Sequence, residues 1–144
     1  MEISKLTSIT ESEAKQICEL SLQLGYNNDL DRLKRRLSDI IGLNDHAIFV
    51  AKIDGEIVGW LHCLVCLRVE SPIFVEVTGL VVHENNRGKQ LGRHLIEASK
   101  QWSISKQIDQ IKLRCNVTRK QSHQFYLSLG FSLSKEQKVF EIAI

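Results

Sequence analysis

Residues 73–102 constrain the fold more than any other stretch, because a strand pattern there runs directly into a glycine-containing turn and then a helical pattern. The run "IFVEVTGLVVH" (73–83) is rich in β-branched apolar residues, which is typical of a buried strand. After the turn, apolar side chains recur at the spacing of one helix face; they are Leu91, Leu95, Ala98 and Trp102. This unit favours an α/β sheet covered by helices.

The middle of the chain has the alternating pattern of a β-hairpin. The segments "AIFVAKI" and "EIVGWLHCLV" flank the dipeptide Asp54-Gly55. Asp-Gly between two alternating runs is a strong signal for a two-residue hairpin turn. Another strand is expected before this hairpin, over "EISKLTSI" (2–9).

Helix-start signals place the helices between these strands. Thr10 with Glu13, and Thr118 with Gln121, have the spacing of capping boxes. A helix is also expected around residues 29–41, with a glycine at its end.

The predicted order of elements is β-α-α-β-β-β-α-β-α-β(-β). Strands at 108–117 and within 131–144 complete it. The fold class is therefore α/β (α+β): one domain over 1–144, with a mixed central sheet of six to seven strands and helices on both faces.

Charge and hydropathy argue against two classes of protein, nucleic-acid binders and membrane proteins. The net charge of +2 arises from 19 cationic and 17 anionic side chains, which argues against a dedicated nucleic-acid binder. The basic run 34–36 is interpreted as a solvated helix face. No apolar run approaches the ~20 residues that span a bilayer. Since residues 1–16 also lack the pattern of a secretory signal, we expect a cytoplasmic protein without membrane partners.

Cys63 and Cys66 form a CxxC motif, which can indicate zinc or a redox disulfide. Their surroundings, "GWLHCLVCLRV", are typical of a strand, on which residues three apart point to opposite faces. We therefore expect reduced core thiols and no metal site.

The stretch "NNRGKQLGRHL" (85–95) has the composition of an anion site. Arg87, Lys89 and Arg93 supply positive charge, and glycine lets the backbone approach a ligand closely. The first turn of the following helix carries unpaired N–H groups that suit phosphate. The alternative is an exposed turn with solvated cations. The spacing fits neither a nucleotide P-loop nor the dinucleotide fingerprint.

Two longer motifs resemble a known family. The stretch "TGLVVHENNRGKQLGRHLIEASKQW" (78–102) resembles motif A of the GCN5-related N-acetyltransferases, the GNAT superfamily; its signature R/Q-x-x-G-x-G/A aligns as Arg87-x-x-Gln90-x-Gly92. "KLRCNVTRKQSHQFYLSLGF" (112–131) is similar to motif B, in the family's order. The similarity covers roughly residues 46–144, and the tail "KEQKVF" resembles a bacterial branch similar to aminoglycoside 6′-N-acetyltransferases.

This resemblance implies acetyl-CoA bound in a cleft between two splayed parallel strands. In the family, the end of the strand before motif A pairs with the pantetheine arm, and the motif A loop holds the pyrophosphate through backbone amides. The matching strand residues are Leu80, Val81 and Val82. The matching loop residues are Arg87, Gly88, Lys89, Gln90, Leu91, Gly92 and Arg93. Gln90 departs from the family's glycine.

The resemblance also implies two catalytic residues. Tyr126, in "FYLSLGF", matches the tyrosine that commonly protonates the leaving thiolate. A phenol is protonated at neutral pH and can donate. Glu76 is the expected general base, because a carboxylate within an apolar strand requires a reason. The alternatives are a packing role for the tyrosine, acceptor binding or a surface charge for Glu76, and Glu70 as a rival base.

Asn116, Arg119 and Ser122 are the remaining candidates for cofactor contact. Many family members have an asparagine seven residues before the tyrosine, but this chain has Arg119 there. Helical spacing places Arg119, Ser122 and Tyr126 on one side of a helix, which is the expected cofactor-facing side. His123 shares that side, and a structural hydrogen bond is its favoured role.

The expected function is acetyl transfer to a primary amine of a small molecule or peptide, directly within a ternary complex. Aminoglycosides, polyamines, amino acids and protein N-termini all remain open as acceptors, and a homodimer is an expected assembly. The alternative is an acetyl-CoA-binding sensor or catalytically weak homologue, which the departure at Gln90 supports.

Overall fold

A computed structural model describes residues 1–88 and 90–144; Lys89 lies outside the described residues. The chain divides into two compact units, Met1–Leu113 and Arg114–Ile144. The prediction of one domain over 1–144 stays a prediction.

The described residues of the first unit form one five-stranded sheet and three α-helices. In chain order its elements are β1 (Glu2–Lys5), α1 (Glu11–Leu22), α2 (Leu30–Ile41), β2 (His46–Ile53), β3 (Glu56–Cys66), β4 (Phe74–Val82), α3 (Leu91–Ser105) and β5 (Ile111–Leu113). The sheet order is β1-β2-β3-β4-β5, in which the first four strands are antiparallel neighbours and β4 runs parallel to β5. The predicted mixed sheet is confirmed.

Helices cover both faces of this sheet, as predicted. On one face α1 and α2 pack on alternate residues of the strands, including Ile48, Val50 and Val81. On the other face α3 packs against β2, β3 and β4. Leu95 of α3 comes close enough to Gly59 that a Cβ built there would lie 3.3 Å from its Cδ1. Burial of apolar side chains on both faces is the main stabilising contribution to the unit.

The helix starts and the hairpin follow local side-chain chemistry. Thr10 and Glu13 form the predicted capping box, with Thr10 Oγ1 accepting from Glu13 N–H at 3.1 Å. Asp29 caps the second helix, which lies within the predicted range 29–41. Asp54 and Gly55 have φ of 51° and 79°, the positive values that a tight hairpin turn requires.

The second unit contains one helix, α4 (Lys120–Ser128). The capping box predicted at Thr118 and Gln121 is wrong. The N-cap is Arg119, which makes no side-chain capping bond. The Thr118 hydroxyl donates instead to Asn116 Oδ1 at 2.8 Å, so a preceding turn takes the group that would have capped the helix.

The prediction of six to seven strands is also wrong. The described residues form five strands, because residues 131–144 contain no helix or strand. Two other strands are shorter than predicted, at Glu2–Lys5 and Ile111–Leu113. An alternating pattern indicates only the tendency to form a strand, whereas the hydrogen bonds come from a neighbour that the pattern does not reveal.

Candidate active site

In the turn before α3, the described residues Gly88 and Gln90 have left-handed backbone conformations. Gly88 has φ +83°, and a Cβ there would meet nothing within 4 Å. Gln90 has φ 61° and ψ 19° and is the N-cap of α3. An L-residue rarely adopts this conformation, whereas glycine does so readily. The position where this chain departs from the motif is therefore one where the backbone itself favours glycine.

The N-terminus of α3 is suited to an anion. Its first turn contains no acidic residue, and the Gln90 side chain makes no capping hydrogen bond with the described residues. Arg87 and Arg93 are exposed beside it, while Leu91 is buried and anchors the helix. Since the first N–H groups of a helix have no partner within it, this end can donate to phosphate oxygens. The expected contribution of Lys89 lies outside the described residues.

The end of β4 offers an open strand edge. β4 pairs with β5 only at Val75, Glu76 and Val77, although β4 continues to Val82. No other strand in the described part of Met1–Leu113 pairs with this edge beyond Val77. Within this unit the pairing of the two parallel strands ends at Val77, because β5 itself ends at Leu113. A cleft between separated strands stays a prediction.

Backbone groups of the predicted pantetheine-binding residues face that edge. His83 N–H donates to the Val58 carbonyl at 2.8 Å, and the same register pairs Val81 with Trp60. Because the bonding direction alternates along antiparallel strands, the N–H and C=O groups of Leu80 and Val82 point away from β3. These groups can pair with an extended ligand, while the Val81 side chain is buried in the core.

Glu76 lies in the middle of β4, half-buried, on the face covered by α1 and α2. Its Oε1 is 4.0 Å from a guanidinium nitrogen of Arg68. Arg68 also approaches the exposed Glu70, at 3.9 Å. Sequence reasoning missed Arg68, since a single cation in a connecting segment gives no signal before its neighbours are known.

A β-bulge brings three further polar side chains together beside Glu76. His62 lies opposite Gly79 and Cys63 opposite Val77, so Thr78 is the extra residue on β4. Thr78 Oγ1 lies 2.9 Å from His62 Nδ1, and His62 Nε2 lies 2.9 Å from His46 Nδ1. Sequence reasoning missed this group, because the contacts depend on strand register.

The electrostatics of this site favour a neutral His62 ring. Burial, and to a smaller extent the neighbouring His46, together lower the pKa of His62 from 6.5 to about 4. The two rings stack with centroids 5.2 Å apart. A neutral imidazole can donate at one nitrogen and accept at the other, which lets His62 connect two partners.

Tyr126 lies half-buried on α4 in the second unit. Its ring contacts Phe125 and Phe131, with centroids 5.3 and 6.0 Å away. Burial raises the pKa of Tyr126, Cys115 acts in the same direction, and Arg119 opposes them. The phenol therefore keeps its proton across the neutral range, as a hydrogen-bond donor or a general acid requires.

The other predicted residues of the second unit form a turn and the start of α4. Asn116 Oδ1 accepts from the Thr118 N–H at 3.0 Å, and the Asn116 carbonyl interacts with His123 Nε2 at 2.9 Å. This agrees with the structural role favoured for His123. Arg119 is exposed at the N-cap, and Ser122 is half-buried. Cofactor contact by these residues stays a prediction.

None of the four cysteines forms a disulfide with a described residue. Cys63 is fully buried, and burial raises its pKa to about 12. Cys63 and Cys66 lie opposite Val77 and Phe74, which are an odd number of residues apart, so the two thiols occupy opposite faces of the sheet. Among the described residues, no cluster of three or more potential metal ligands is present.

Comparison with known proteins decides the family. Residues 14–131 match the family model described as the acetyltransferase (GNAT) family. The chain belongs to this family. Its match to a GNAT model extends from the first helix to the residue after Gly130, so it includes both motifs and the strands between them.

Relatives of known name agree with this assignment. The chain is 30% identical, over 100 residues, to a streptothricin acetyltransferase from Escherichia coli; the match covers 69% of this chain and 55% of that protein. The chain thus spans about half the length of this curated relative.

Solved structures share the fold. The aminoglycoside 6′-N-acetyltransferase AAC(6′)-IG from Acinetobacter haemolyticus has a TM-score of 0.85 at 17% identity, covering 100% of this chain and 99% of that chain. AAC(6′)-Iy, an aminoglycoside N-acetyltransferase in complex with CoA, has a TM-score of 0.85 at 18% identity, covering 99% of this chain and 95% of that chain.

Among the described residues, no helix is both long and apolar enough to span a membrane.

Proposed function

We propose that the protein is an acetyl-CoA-dependent N-acetyltransferase that acts on a primary amine of a small molecule or peptide. The observation that carries this proposal is the succession of an open β4 edge, a left-handed turn and the N-terminus of α3. An open strand edge can pair with an extended, amide-bearing ligand, and a helix N-terminus can hold an anion. Acetyl-CoA carries both groups, a pantetheine arm and a pyrophosphate.

In the proposed cofactor site, backbone groups make the main contacts and side chains add to them. Leu80 and Val82 would pair with the pantetheine amides, with Val81 as the residue between them. The pyrophosphate would lie on the N–H groups at the start of α3; the proposed contacts are Arg87, Gly88, Lys89, Gln90, Leu91, Gly92 and Arg93. Asn116, Arg119 and Ser122 are proposed contacts from the second unit.

The proposed chemistry divides proton transfer between two side chains. Acetyl-CoA supplies the acetyl group as a thioester. Glu76 accepts the proton of the acceptor ammonium, directly or through a water, and frees the nitrogen lone pair to attack the acetyl carbon. As the C–N bond forms and the C–S bond breaks, the Tyr126 hydroxyl donates its proton to the departing sulfur. The transfer is direct, so no nucleophilic cysteine is required, and the thiol of Cys63 is buried.

The acceptor is proposed to be a small polycationic amine. Support comes from the names of relatives, a streptothricin acetyltransferase and aminoglycoside 6′-N-acetyltransferases. Polyamines, amino acids and peptide N-termini stay open within the amine class. A sensor that binds acetyl-CoA without turnover is the second candidate, supported by the left-handed conformation of Gln90.

We further propose one bacterial, cytoplasmic GNAT domain that assembles as a homodimer. The support for a dimer comes from residues 131–144, which contain no helix or strand and carry exposed apolar side chains. Val139, Phe140 and Ile142 in this tail are 77%, 87% and 87% exposed. A second copy would cover these side chains, since exposed apolar patches commonly mark interfaces. Light scattering on the intact protein should give twice the monomer mass; a monomer would contradict this assembly.

Two measurements test the proposed function. Acetyl-CoA at about 100 times its dissociation constant should stabilise the native state by roughly 2.7 kcal/mol, measured as a rise in the melting temperature. CoA release should then be followed with sisomicin, spermidine, L-lysine and a short peptide with a free N-terminus. No thermal shift contradicts cofactor binding, whereas a shift without turnover on any amine favours the sensor.

A further inference from the structure

The polar group at the bulge of β4 is joined by three contacts, and the direction of one of them decides the direction of the other two. Thr78 Oγ1 lies 2.9 Å from His62 Nδ1 and also donates to the His62 carbonyl oxygen at 3.2 Å. A hydroxyl has one proton. If that proton goes to the carbonyl, His62 Nδ1–H must donate to Thr78 Oγ1.

The same assignment extends to the second histidine. When His62 is neutral and carries its proton on Nδ1, its Nε2 is an acceptor. His46 Nδ1, at 2.9 Å, must then be the donor. This arrangement satisfies all three contacts with a neutral His62, whereas the opposite tautomer leaves the carbonyl of His62 without the Thr78 proton.

This order leaves Thr78 able to accept a further hydrogen bond but not to donate one. Its oxygen accepts from His62 and donates to the His62 carbonyl, so a lone pair is its only remaining hydrogen-bonding capacity. The side chain is exposed, and the bulge directs it to the sheet face that also bears Glu76. Glu76 is two residues away on the same strand, about 7 Å along it. The neutral hydroxyl oxygen of Thr78 and the carboxylate of Glu76, which both accept hydrogen bonds, therefore lie on the same face of β4.

We propose that Thr78 is an acceptor-binding residue, which receives a hydrogen bond from an N–H or O–H of a donor-rich amine substrate, and that His62 and His46 are positioning residues that hold its hydroxyl. This inference rests on the proposed acetyltransferase function. The chemistry recognised is a cationic molecule with several donors, because Thr78 offers only a lone pair and Glu76 offers a carboxylate. An acceptor that has a single amine and no other donor would gain little from Thr78.

The hydrogen-bond order is tested first, without any substrate. The intact protein labelled with ¹⁵N in histidine is studied by long-range ¹H–¹⁵N NMR at pH 7, which distinguishes the two neutral tautomers. We expect His62 with its proton on Nδ1 in the wild type and in Thr78→Ser, and loss of this preference in Thr78→Val. A wild-type His62 protonated on Nε2 would overturn the proposal.

The binding role is tested by kinetics on whichever probe amine the wild type acetylates best. Thr78→Val, which keeps the shape and removes the hydroxyl, should raise the KM for the amine about five- to tenfold, the effect of one lost hydrogen bond. The kcat and the KM for acetyl-CoA should stay within about twofold of the wild type. Thr78→Ser should keep the wild-type KM for the amine. Thr7→Val, at an exposed position outside the site, should change neither kcat nor either KM.

The outcomes separate this inference from the proposed function. Turnover with an equal amine KM in the wild type and Thr78→Val overturns the role of Thr78 and leaves the acetyltransferase intact. Absence of turnover on every amine contradicts the function. In that case sisomicin is titrated into the wild type with the His62 resonances as the readout, and a lack of shift overturns this inference too.

Discussion

The indole ring of Trp60 lies directly against the α-carbon of Gly79 on the neighbouring strand. A Cβ built on Gly79 would lie 2.7 Å from Cζ3 and 2.8 Å from Cη2 of that ring. Trp60 packs against the core cluster formed with α1 and α2. The glycine next to the bulge therefore leaves room for the large side chain of Trp60.

Gly79→Ala should destabilise the protein. The added methyl group must displace the Trp60 ring from a packed position, and overpacking of this kind costs about 1–3 kcal/mol in the free energy of unfolding. Urea denaturation measures the change. Gly42→Ala is the matched control, because its Cβ would meet only atoms at 3.5 Å and beyond, and the backbone has a helical φ of −75°. Equal stability of the two variants would contradict the contact.

Gln90→Gly should stabilise the native backbone and strengthen cofactor binding. Gln90 holds φ 61°, a conformation that costs a non-glycine residue about 1 kcal/mol. The neighbouring Gly88→Ala should have the opposite sign, since Gly88 has φ +83° even though a Cβ there meets no atom within 4 Å. Thermal unfolding with and without acetyl-CoA measures both changes. A weaker acetyl-CoA affinity in Gln90→Gly would show that the glutamine side chain binds the cofactor.

Tyr126→Phe should lower kcat by roughly 10²-fold, the range of a lost general acid. The KM for acetyl-CoA should stay within about twofold, because only a hydroxyl is removed. In the wild type the raised pKa of Tyr126 keeps the phenol protonated, so no loss of activity from its ionisation is expected below pH 10. Steady-state kinetics across pH provide the measurement. An unchanged kcat would exclude the acid role.

Glu76→Gln should lower kcat by roughly 10²-fold, because the amide cannot take up the proton of the acceptor ammonium. Glu70→Gln is the matched control, since Arg68 approaches both carboxylates at similar distances, 4.0 Å for Glu76 and 3.9 Å for Glu70. The control should keep the wild-type kcat, measured as the rate of CoA release at saturating amine. If Glu70→Gln lowers kcat and Glu76→Gln does not, the general base is Glu70.

His62 should make the fold less stable as the pH falls. Its pKa is lowered from 6.5 to about 4 in the folded protein, so between these values the unfolded chain binds more protons. The stabilising contribution is complete above pH 6.5 and decreases as the pH falls towards 4. The facing titratable groups are His46 and, on the same sheet face, Glu76.

Urea titrations at pH 7 and pH 4.5 test this difference. His62→Gln should lose less stability between the two pH values than the wild type does. His94→Gln, on an exposed position of α3, should keep the wild-type dependence. Glu13, whose pKa is lowered through its bonds to Thr10 and Lys52 against the opposing effect of burial, contributes equally in all three proteins. An identical pH dependence in His62→Gln would contradict the prediction.

Local chemistry made most of the fold predictable. Helix caps and tight turns form through contacts within three or four residues, so their formation depends little on the rest of the chain. The caps at Thr10 and Asp29 and the turn at Asp54 are of this kind. The prediction of a capping box at Thr118 is wrong because the Thr118 hydroxyl donates to the side chain of Asn116, two residues away. The prediction of strands in 131–144 is wrong because a strand requires a neighbouring strand to pair with as well as an alternating pattern.

The sequence by itself determined the family and the order of elements through α4, since these depend on motif spacing and short-range preferences. Only the tertiary structure decided the left-handed backbone of Gln90, the point where the pairing of β4 with β5 ends, and the meeting of Thr78, His62 and His46. The physical reason is register. A single extra residue on β4 places Thr78 against His62, and cross-strand contacts of this kind join residues that are 16 positions apart in the chain.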